Sequence, residues 1–250
     1  LPQIVPYSKI SKLQLWTLLF CANRCTANHM CCRGCCKPAA SKEIGAERLR
    51  RMDESGIDVQ VLSNTGAGPD LVPGQEGVKL AQMMNDYLAE KVAEKPDRFQ
   101  GFAVLPMADP KSCADEFLRC VKELGFCGAL INGVTDGRFL DDPSYDDLLS
   151  AAVELDLPIY VHPHLAPAPV RDAYYSNLPD GAARVLETAG WGWHQETAIH
   201  VLRLVLAGVL DKYPKLKLII GHIGEMLPMM LARVDDVFRL DADHLQRPIS

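Results

Sequence analysis

The sequence has no apolar run that could cross a bilayer, since a spanning helix needs roughly 20 apolar residues and the longest run, Leu13 to Ala22, is about half as long. It has no surplus of basic residues, because 26 Lys and Arg against 32 Asp and Glu leave a net charge of −6, whereas a dedicated nucleic-acid binder carries a basic face. It also lacks the Gly-x-Gly-x-x-Gly motif of dinucleotide sites and the Gly-x-Ser-x-Gly elbow of serine hydrolases. We therefore expect no membrane partner, no nucleic-acid partner and no serine nucleophile.

Cysteines and charges are spread unevenly along the chain. Residues 1–40 contain six of the nine cysteines and carry a net charge of +5 with no acidic residue, whereas the rest of the chain carries −11. The three other cysteines are scattered and make no disulfide framework, which favours a cytoplasmic protein. These shifts predict a cysteine-rich basic leader at 1–40, joined near Pro38 to a domain at 41–250.

Three interpretations compete for the leader. Lys9 and Lys12, before the apolar run, resemble the start of a secretory signal. Cys32 and Cys35, with His29 nearby, have the Cys-x-x-Cys spacing of half a zinc site, but the adjacent cysteines do not readily supply two ligands to one tetrahedral ion. The third interpretation, a poorly ordered segment, is the one we favour.

From residue 41 onward, short apolar runs rich in β-forming residues alternate with longer amphipathic segments. The predicted strands are Val59–Leu62, Gly101–Leu105, Ala129–Ile131, Ile159–Val161 and Leu218–Ile220. The predicted helices are Gly77–Glu94, Pro110–Leu124, Pro143–Leu155, Glu196–Lys212 and Glu225–Leu240. Apolar strands that alternate with helices form a parallel sheet covered by helices, so the fold class is α/β, either a doubly wound sheet or a (β/α)₈ barrel.

Two histidines follow predicted strands. His162 comes directly after one strand, and His222 comes shortly after another, with Glu225 three residues further on. Barrel and open-sheet enzymes build their active sites from ionisable groups at the carboxyl ends of parallel strands. A carboxylate beside His222 could hydrogen-bond the imidazole, fix its tautomer and raise its basicity. A Glu in a first helical turn is also favoured by the helix dipole alone.

A third group of histidines is interpreted differently. His194 and His200 are six residues apart, so they do not share a helix face, and the segment lacks His-Glu-x-x-His spacing. We interpret this segment mainly as the start of a helix. His164, two residues after His162, is a further candidate whose direction is left open by Pro163.

Several short segments stand in a characteristic order: Met52-Asp-Glu-Ser-Gly-Ile-Asp-Val-Gln-Val-Leu-Ser63, Asn85-Asp-Tyr, Pro96-Asp-Arg-Phe, Gly128-Ala-Leu, His162-Pro, His222-Ile-Gly-Glu225 and Pro228. From about Glu43 to Arg239, the chain resembles the amidohydrolase-related decarboxylases. This family includes the γ-resorcylate, 2,3-dihydroxybenzoate, 6-methylsalicylate and aminocarboxymuconate-semialdehyde decarboxylases.

The resemblance implies a (β/α)₈ barrel that holds one divalent metal, zinc or manganese, and removes CO₂ from an aromatic carboxylic acid without oxidation. It implies that His162 is a metal ligand at the end of strand five, and that His222 and Glu225 are the acid/base pair after strand six. It also implies that Arg233 meets the substrate carboxylate of a neighbouring subunit in a homo-oligomer, a dimer or tetramer. The alternative for Arg233 is an ion pair with Asp236, three residues along the same helix.

The chain departs from the family pattern near both ends. The Glu-x-His or His-x-His motif of the first strand, which supplies metal ligands, is absent where the leader stands. The closing strands and their metal-binding Asp are absent before Ser250, and only five of the eight strands can be counted. We therefore expect an incomplete barrel that binds its metal weakly and has little decarboxylase activity.

The main hypothesis for function is metal-dependent decarboxylation of a hydroxybenzoate-type acid, in which His222, held by Glu225, exchanges a proton with the substrate. One alternative keeps the fold and hydrolyses a lactone or amide with metal-activated water. Another is a non-catalytic, truncated barrel. Product analysis separates the first two, because hydrolysis adds water and loses no carbon.

Overall fold

The protein is described by a computed structural model that covers residues 13–19, 44–65, 68–247 and 249. The chain forms two compact units, divided in sequence between Leu130 and Ile131. Strands alternate with helices in both units, and neighbouring strands pair in parallel. Within the described ranges, no helix has the length and apolarity needed to cross a membrane.

The first unit contains a parallel three-stranded sheet with the order β1 (Leu13–Leu19), β2 (Val59–Thr65), β3 (Phe99–Gly101). Two further strands pair in parallel, β4 (Ala103–Val104) and β5 (Ala129–Asn132), which begins in this unit. The helices are α1 (Ala46–Glu54), α2 (Gly74–Ala93) and α3 (Pro110–Lys122), with a 3₁₀ turn at Pro69–Leu71. Helix α2 buries one face, which comprises Gly77, Ala81, Asn85 and Leu88.

Strand β1 lies inside the segment for which the sequence predicted poor order. Its backbone pairs with β2 over seven residues, from Leu13 opposite Val59 to Leu19 opposite Thr65. Residues 13–19 form a strand because a short apolar run satisfies its backbone groups by joining a sheet, and the poor order of the leader at 1–40 stays a prediction. The cysteines and histidine of the leader lie outside the described residues, so the signal and zinc interpretations stay predictions.

One predicted strand, Gly101–Leu105, is two strands in the structure. Strand β3 pairs with β2 up to Gly101, and β4 pairs with β5 from Ala103 onward. The break falls at Phe102, which is buried and donates its backbone N–H to the carbonyl of Leu62 at 2.8 Å. One short apolar segment thus serves two strand pairings.

A buried polar cluster ties α2, α3 and β4 together; it comprises Asn85, Val104, Glu116 and Arg119, and we call it the Asn85 cluster. The Asn85 amide donates to the Val104 carbonyl at 2.9 Å and to Glu116 Oε1 at 2.7 Å. Asn85 Oδ1 accepts the Val104 N–H at 2.9 Å. The Arg119 guanidinium donates two hydrogen bonds to the Glu116 carboxylate, at 2.8 and 2.9 Å. The cluster therefore pairs within itself the polar groups that folding removes from water.

The second unit contains the parallel pair β6 (Ile159–His162) and β7 (Leu218–Ile220). Its helices are α4 (Asp146–Leu155), α5 (Ala168–Tyr174), α6 (Asp180–Glu187), α7 (Gly192–Leu206), α8 (Val209–Lys212) and α9 (Leu227–Phe238), with a 3₁₀ turn at Pro143–Tyr145. Its buried side chains include Leu140, Tyr145, Leu148, Ile159, Val161 and Leu204.

The bounds of two predicted helices change in the structure for reasons that lie in the backbone. The predicted helix Glu196–Lys212 is two helices, because Gly208 adopts a left-handed conformation with φ 71° between α7 and α8. The predicted helix Glu225–Leu240 begins only at Leu227, because Glu225 has φ 54° and ψ −127°. Glu225 thus precedes the helix. The favourable interaction of an acidic residue with the helix dipole in a first turn therefore does not explain why a glutamate stands at this position.

Candidate active site

Two imidazoles lie at the carboxyl ends of β6 and β7. The two strands run parallel, with Val161 opposite Ile220, so their carboxyl ends face the same edge. His162 is the last residue of β6, and His222 follows β7 by two residues. The ring centroids are 5.2 Å apart, and the rings are nearly perpendicular at 86°. The structure therefore brings together the two histidines that the strand pattern singled out.

The chain between β7 and α9 is a strained turn. His222, Ile223, Gly224 and Glu225 have φ angles of 45°, 61°, 81° and 54°. A left-handed conformation costs a non-glycine residue roughly 1–2 kcal/mol, and Ile223 is 96% exposed, so burial of its side chain does not offset that cost. Such strain persists where the surrounding structure holds a functional group in place. Here the turn brings Glu225 back against His222.

Gly221 lets this turn begin close to β6. A Cβ atom at position 221 would lie 3.0 Å from the carbonyl oxygen of Val161 and 3.0 Å from Cδ of Pro163. A larger residue would push the turn away from β6, because these contacts are tighter than Cβ atoms normally make. Gly221 thus allows the short distance between the imidazoles of His162 and His222.

The Glu225 carboxylate lies between two imidazoles. Its side chain is 1% exposed, its Oε1 is 2.6 Å from Nδ1 of His222, and its Oε2 is in contact with Nδ1 of His194. An unprotonated ring nitrogen would turn a lone pair toward a carboxylate oxygen, so we assign a proton to both Nδ1 atoms. The predicted pairing of His222 with Glu225 is present, with His194 as a third member.

His194 and Trp193 reach this place from the first turn of α7. The Trp193 ring lies edge-on to His162 at 5.9 Å, and it lies 5.6 Å from His222 with a tilt of 44°. We call His162, Trp193, His194, His222 and Glu225 the His222 cluster. The sequence pattern indicated only that a helix starts here, and no motif spacing links this segment to Glu225, because the two lie on separate elements far apart in the chain.

Burial keeps the imidazole of His162 neutral. Removal from solvent lowers its pKa to about 4, and the nearby His222 adds to this effect. Nδ1 of His162 lies 2.7 Å from the carbonyl oxygen of Pro163, which can only accept, so Nδ1 donates and Nε2 keeps its lone pair. A neutral imidazole whose other nitrogen donates to a carbonyl is the usual form of a metal-ligating histidine.

The chemistry of His162 fits a metal ligand, but the described residues do not complete a metal site. Across residues 44–65 and 68–247, no three His, Cys, Asp or Glu side chains converge as a metal ion requires. A catalytic metal site uses about three protein ligands and an open position. His162 alone is one member of such a set, so we derive no chemical step through a metal.

Three polar atoms of the His222 cluster are buried and lack a hydrogen-bond partner among the described residues, namely Glu225 Oε1, His194 Nδ1 and Trp193 Nε1. The contacts of the carboxylate with the two imidazoles are close enough for ion pairs, but they do not have the alignment of a hydrogen bond. Natural proteins pair nearly all buried polar groups, and each exception requires an explanation. The His222 cluster therefore has the incomplete hydrogen bonding typical of a functional site.

Two other candidate residues do not belong to the cluster. Arg233 is exposed on α9 and makes no ion pair with Asp236 or with any other residue in the described ranges. His164 packs against Gly133, where a Cβ atom would lie 2.7 Å from Cβ of His164. Burial lowers the pKa of His164. The role of Arg233 toward a neighbouring subunit stays a prediction.

Two imidazoles and a buried carboxylate at the ends of parallel strands define an α/β protein whose site lies at the strand ends. The chain belongs to the Amidohydrolase family, whose match covers residues 35–242. The resemblance inferred from the motifs is confirmed. The predicted fold class, α/β with parallel strands of a partial barrel, is confirmed as well.

Among curated relatives, the chain is similar to Decarboxylase orsB of Emericella nidulans, with 42% identity over 198 residues, which are 78% of this chain and 58% of that protein. It is also similar to γ-resorcylate decarboxylase of Polaromonas sp., with 44% identity over 200 residues, 77% of this chain and 60% of that protein. The chain thus spans 58–60% of the length of these relatives.

A solved structure with the same fold is the dihydroxybenzoic acid decarboxylase from Polaromonas sp. JS666, with bound manganese and the inhibitor 2-nitroresorcinol. It is 39% identical to this chain and superposes with a TM-score of 0.75, covering 83% of this chain and 64% of that one.

Proposed function

We propose that the His222 cluster is the active centre of a non-oxidative decarboxylase for a hydroxybenzoate-type acid of the salicylate or resorcylate kind. The observation that carries the proposal is the Glu225–His222 pair beside His162, at the ends of two paired parallel strands. The similarity to relatives named as decarboxylases supports the same reaction class.

The reaction needs one proton at the ring carbon that bears the carboxylate. The proton adds to that carbon, the bond to the carboxylate breaks, CO₂ leaves, and the electron pair of the broken bond restores the aromatic ring. His222 would first take up a proton from solvent at Nε2 and then deliver it to this ring carbon, because its Nδ1 faces Glu225. Glu225 holds the ring orientation and the tautomer that this transfer needs.

A divalent metal, manganese or zinc, would orient the substrate carboxylate and its neighbouring hydroxyl and spread their negative charge. His162 would be one ligand, through Nε2. The manganese in the Polaromonas structure supports that metal. Because the described residues contain no group of three metal donors, we propose that this chain binds the metal weakly.

We further propose that the protein acts as a homo-oligomer in the cytoplasm on an aromatic carboxylic acid. Arg233 is exposed on α9, which supports a role toward a neighbouring subunit. Cys113, Cys120 and Cys127 are buried thiols, and none of them forms a disulfide among the described residues, which supports a reducing compartment. A monomer in light scattering would remove the basis for the Arg233 role.

The experiment that tests the function is incubation of the purified chain with 2,6-dihydroxybenzoate and excess Mn²⁺ or Zn²⁺. We expect slow formation of resorcinol with an equal amount of CO₂, and a rate about 10²- to 10⁴-fold lower in His222→Gln, since general acid–base catalysis contributes this much. The matched control, His244→Gln, removes an exposed histidine outside the His222 cluster and should leave the rate unchanged.

Resorcinol no higher than in the blank at saturating metal would overturn decarboxylation by this chain and favour the non-catalytic alternative. A product heavier by one water, with no carbon lost, obtained from a lactone or amide probe, would favour the hydrolase alternative.

The weak metal site has a separate test, elemental analysis after desalting. We expect far less than one equivalent of manganese or zinc per chain, because chelation by several fixed ligands gives such sites their affinity. Close to one equivalent would contradict weak binding and would show that the chain supplies ligands beyond His162.

A further inference from the structure

We propose that His194 is a positioning residue, which holds the Glu225 carboxylate so that its other oxygen faces His222. The role in turnover rests on the proposed function, whereas the geometry does not. No sequence motif assigns His194 to this site, and it comes from an element separate from those that carry the other two groups.

The orientation of the Glu225 carboxylate has to be fixed by contacts with other side chains. Glu225 precedes α9 in a strained turn with φ 54° and ψ −127°, so regular helix geometry does not set the direction of its side chain. Its carboxylate is 1% exposed, so water does not solvate it fully. A buried carboxylate needs a partner on each oxygen to keep one orientation. His222 contacts Oε1 and His194 contacts Oε2.

His194 affects the tautomer of His222 through the Glu225 carboxylate. With Oε2 held by His194, Oε1 stays 2.6 Å from Nδ1 of His222. This favours the tautomer of His222 that has its proton on Nδ1 and its lone pair on Nε2. Without His194, the carboxylate can rotate and the tautomer preference of His222 weakens.

The contact of His194 with Glu225 does not result from the capping of helix α7. The helix has no side chain that caps its first turn, and its N-cap residue is Trp191. Two consecutive residues of that turn, Trp193 and His194, instead point to the His222 cluster, one against the imidazoles and one against the carboxylate. The side chains of this turn therefore form a second wall of the site and do not cap their own helix.

The test is an NMR measurement of the histidine side-chain ¹⁵N shifts and ¹H–¹⁵N couplings in the full chain, at a pH where imidazoles are neutral. The His222 signals are assigned by their loss in His222→Gln. We expect the Nδ1-protonated tautomer in the wild type, a mixture of tautomers in His194→Leu, and the wild-type pattern in His194→Asn. Asn places an amide N–H close to the place of Nδ1, so it should rescue the contact with Glu225.

Two further variants keep the outcome decisive. His200→Gln changes a buried histidine of the same helix that contacts Leu140 and not Glu225, so it should leave the His222 signals unchanged. If His194→Leu does not fold, His194→Gln serves in its place, with an amide that is displaced from Nδ1 and should restore the wild-type pattern only in part.

Unchanged His222 signals in the folded His194→Leu or His194→Gln variant would overturn the proposal. An equal change in His200→Gln would overturn it too, since the effect would then come from the helix as a whole. In active protein we expect His194→Leu to lower kcat about tenfold or more with little change in KM, as for other groups that orient a reacting residue. A wild type without turnover leaves the NMR outcome fully decisive and bears on the proposed function alone.

Discussion

The Asn85 cluster of the first unit and the His222 cluster of the second each hold a buried carboxylate among polar side chains, and they are built in opposite ways. In the Asn85 cluster, the amide and the carboxylate have hydrogen-bond partners at 2.7–2.9 Å on helices and a strand of regular geometry. In the His222 cluster, three buried polar atoms lack a hydrogen-bond partner among the described residues, and the backbone has four successive positive φ angles.

This difference separates a structural role from a functional one. A fully paired buried network stabilises and specifies a fold, and loss of one member leaves the others unpaired. A cluster with incomplete pairing on a strained backbone adds little stability, and such features collect at sites of binding and catalysis. Polar residues in the core therefore do not by themselves mark an active site, and in the His222 cluster incomplete pairing occurs together with a strained backbone and two imidazoles at strand ends.

The largest loss of stability that we expect comes from Asn85→Leu in the Asn85 cluster. The change leaves the buried N–H and carbonyl of Val104 without their side-chain partner and removes one donor from Glu116. Since each unpaired buried group costs about 1–3 kcal/mol, we expect the free energy of unfolding to fall by about 3–5 kcal/mol in urea titration.

The matched change in the other cluster is Glu225→Leu. Its partners His194 and His222 are 34% and 42% exposed and stay partly hydrated, and among the described residues Glu225 Oε1 and His194 Nδ1 already lack a hydrogen bond that the change could remove. We expect the free energy of unfolding to change by no more than about 1 kcal/mol, while decarboxylation is lost. Equal losses of stability in Asn85→Leu and Glu225→Leu would contradict the distinction between the clusters.

The next effect concerns pH and His200, which is buried but belongs to neither cluster. Burial lowers its pKa to about 4, below the ordinary value of roughly 6.5 in the unfolded chain. The unfolded chain thus binds the proton more readily, so stability is complete above about pH 6.5 and is lost as the pH falls toward 4. The contribution of His200 to this loss between pH 7 and 5 is about 2 kcal/mol.

His200→Gln tests this effect, because its side-chain oxygen can still accept the Leu140 N–H that Nε2 accepts at 3.2 Å. Urea titrations at pH 7 and pH 5 should show a loss of stability that is smaller by about 2 kcal/mol in the variant. The same pH dependence in both proteins would show that His200 does not titrate as burial predicts.

The smallest effect that we expect comes from relieving the strain itself. Ile223→Gly replaces an almost fully exposed β-branched residue at φ 61°, and glycine adopts this conformation without steric cost. The gain of roughly 1–2 kcal/mol is reduced by the larger entropy of the unfolded chain, so we expect a net stabilisation of about 0.5–1 kcal/mol in thermal unfolding. A lower melting temperature would show that the turn is not strained at Ile223.

The features of the site that lie within one short segment of sequence were predictable. The strand Leu218–Ile220 has its predicted bounds, because a short apolar run between Pro214 and a glycine leaves little choice. The pairing of His222 with Glu225 was predictable for the same reason, since both lie in one short segment. The start of α9 was not predictable, because Glu225 departs from helix geometry where its carboxylate contacts two imidazoles, one of them from a segment far away in the sequence.

By itself, the sequence determined the α/β alternation, the two strand-end histidines and the family, since apolar periodicity and short motifs are local properties of the chain. Only the tertiary structure decided that His194 and Trp193 join the site, that one predicted strand divides at Phe102, and that residues 13–19 pair with β2. These outcomes depend on contacts between segments far apart in the chain. Their free energy comes from burial and pairing that no short stretch of sequence contains.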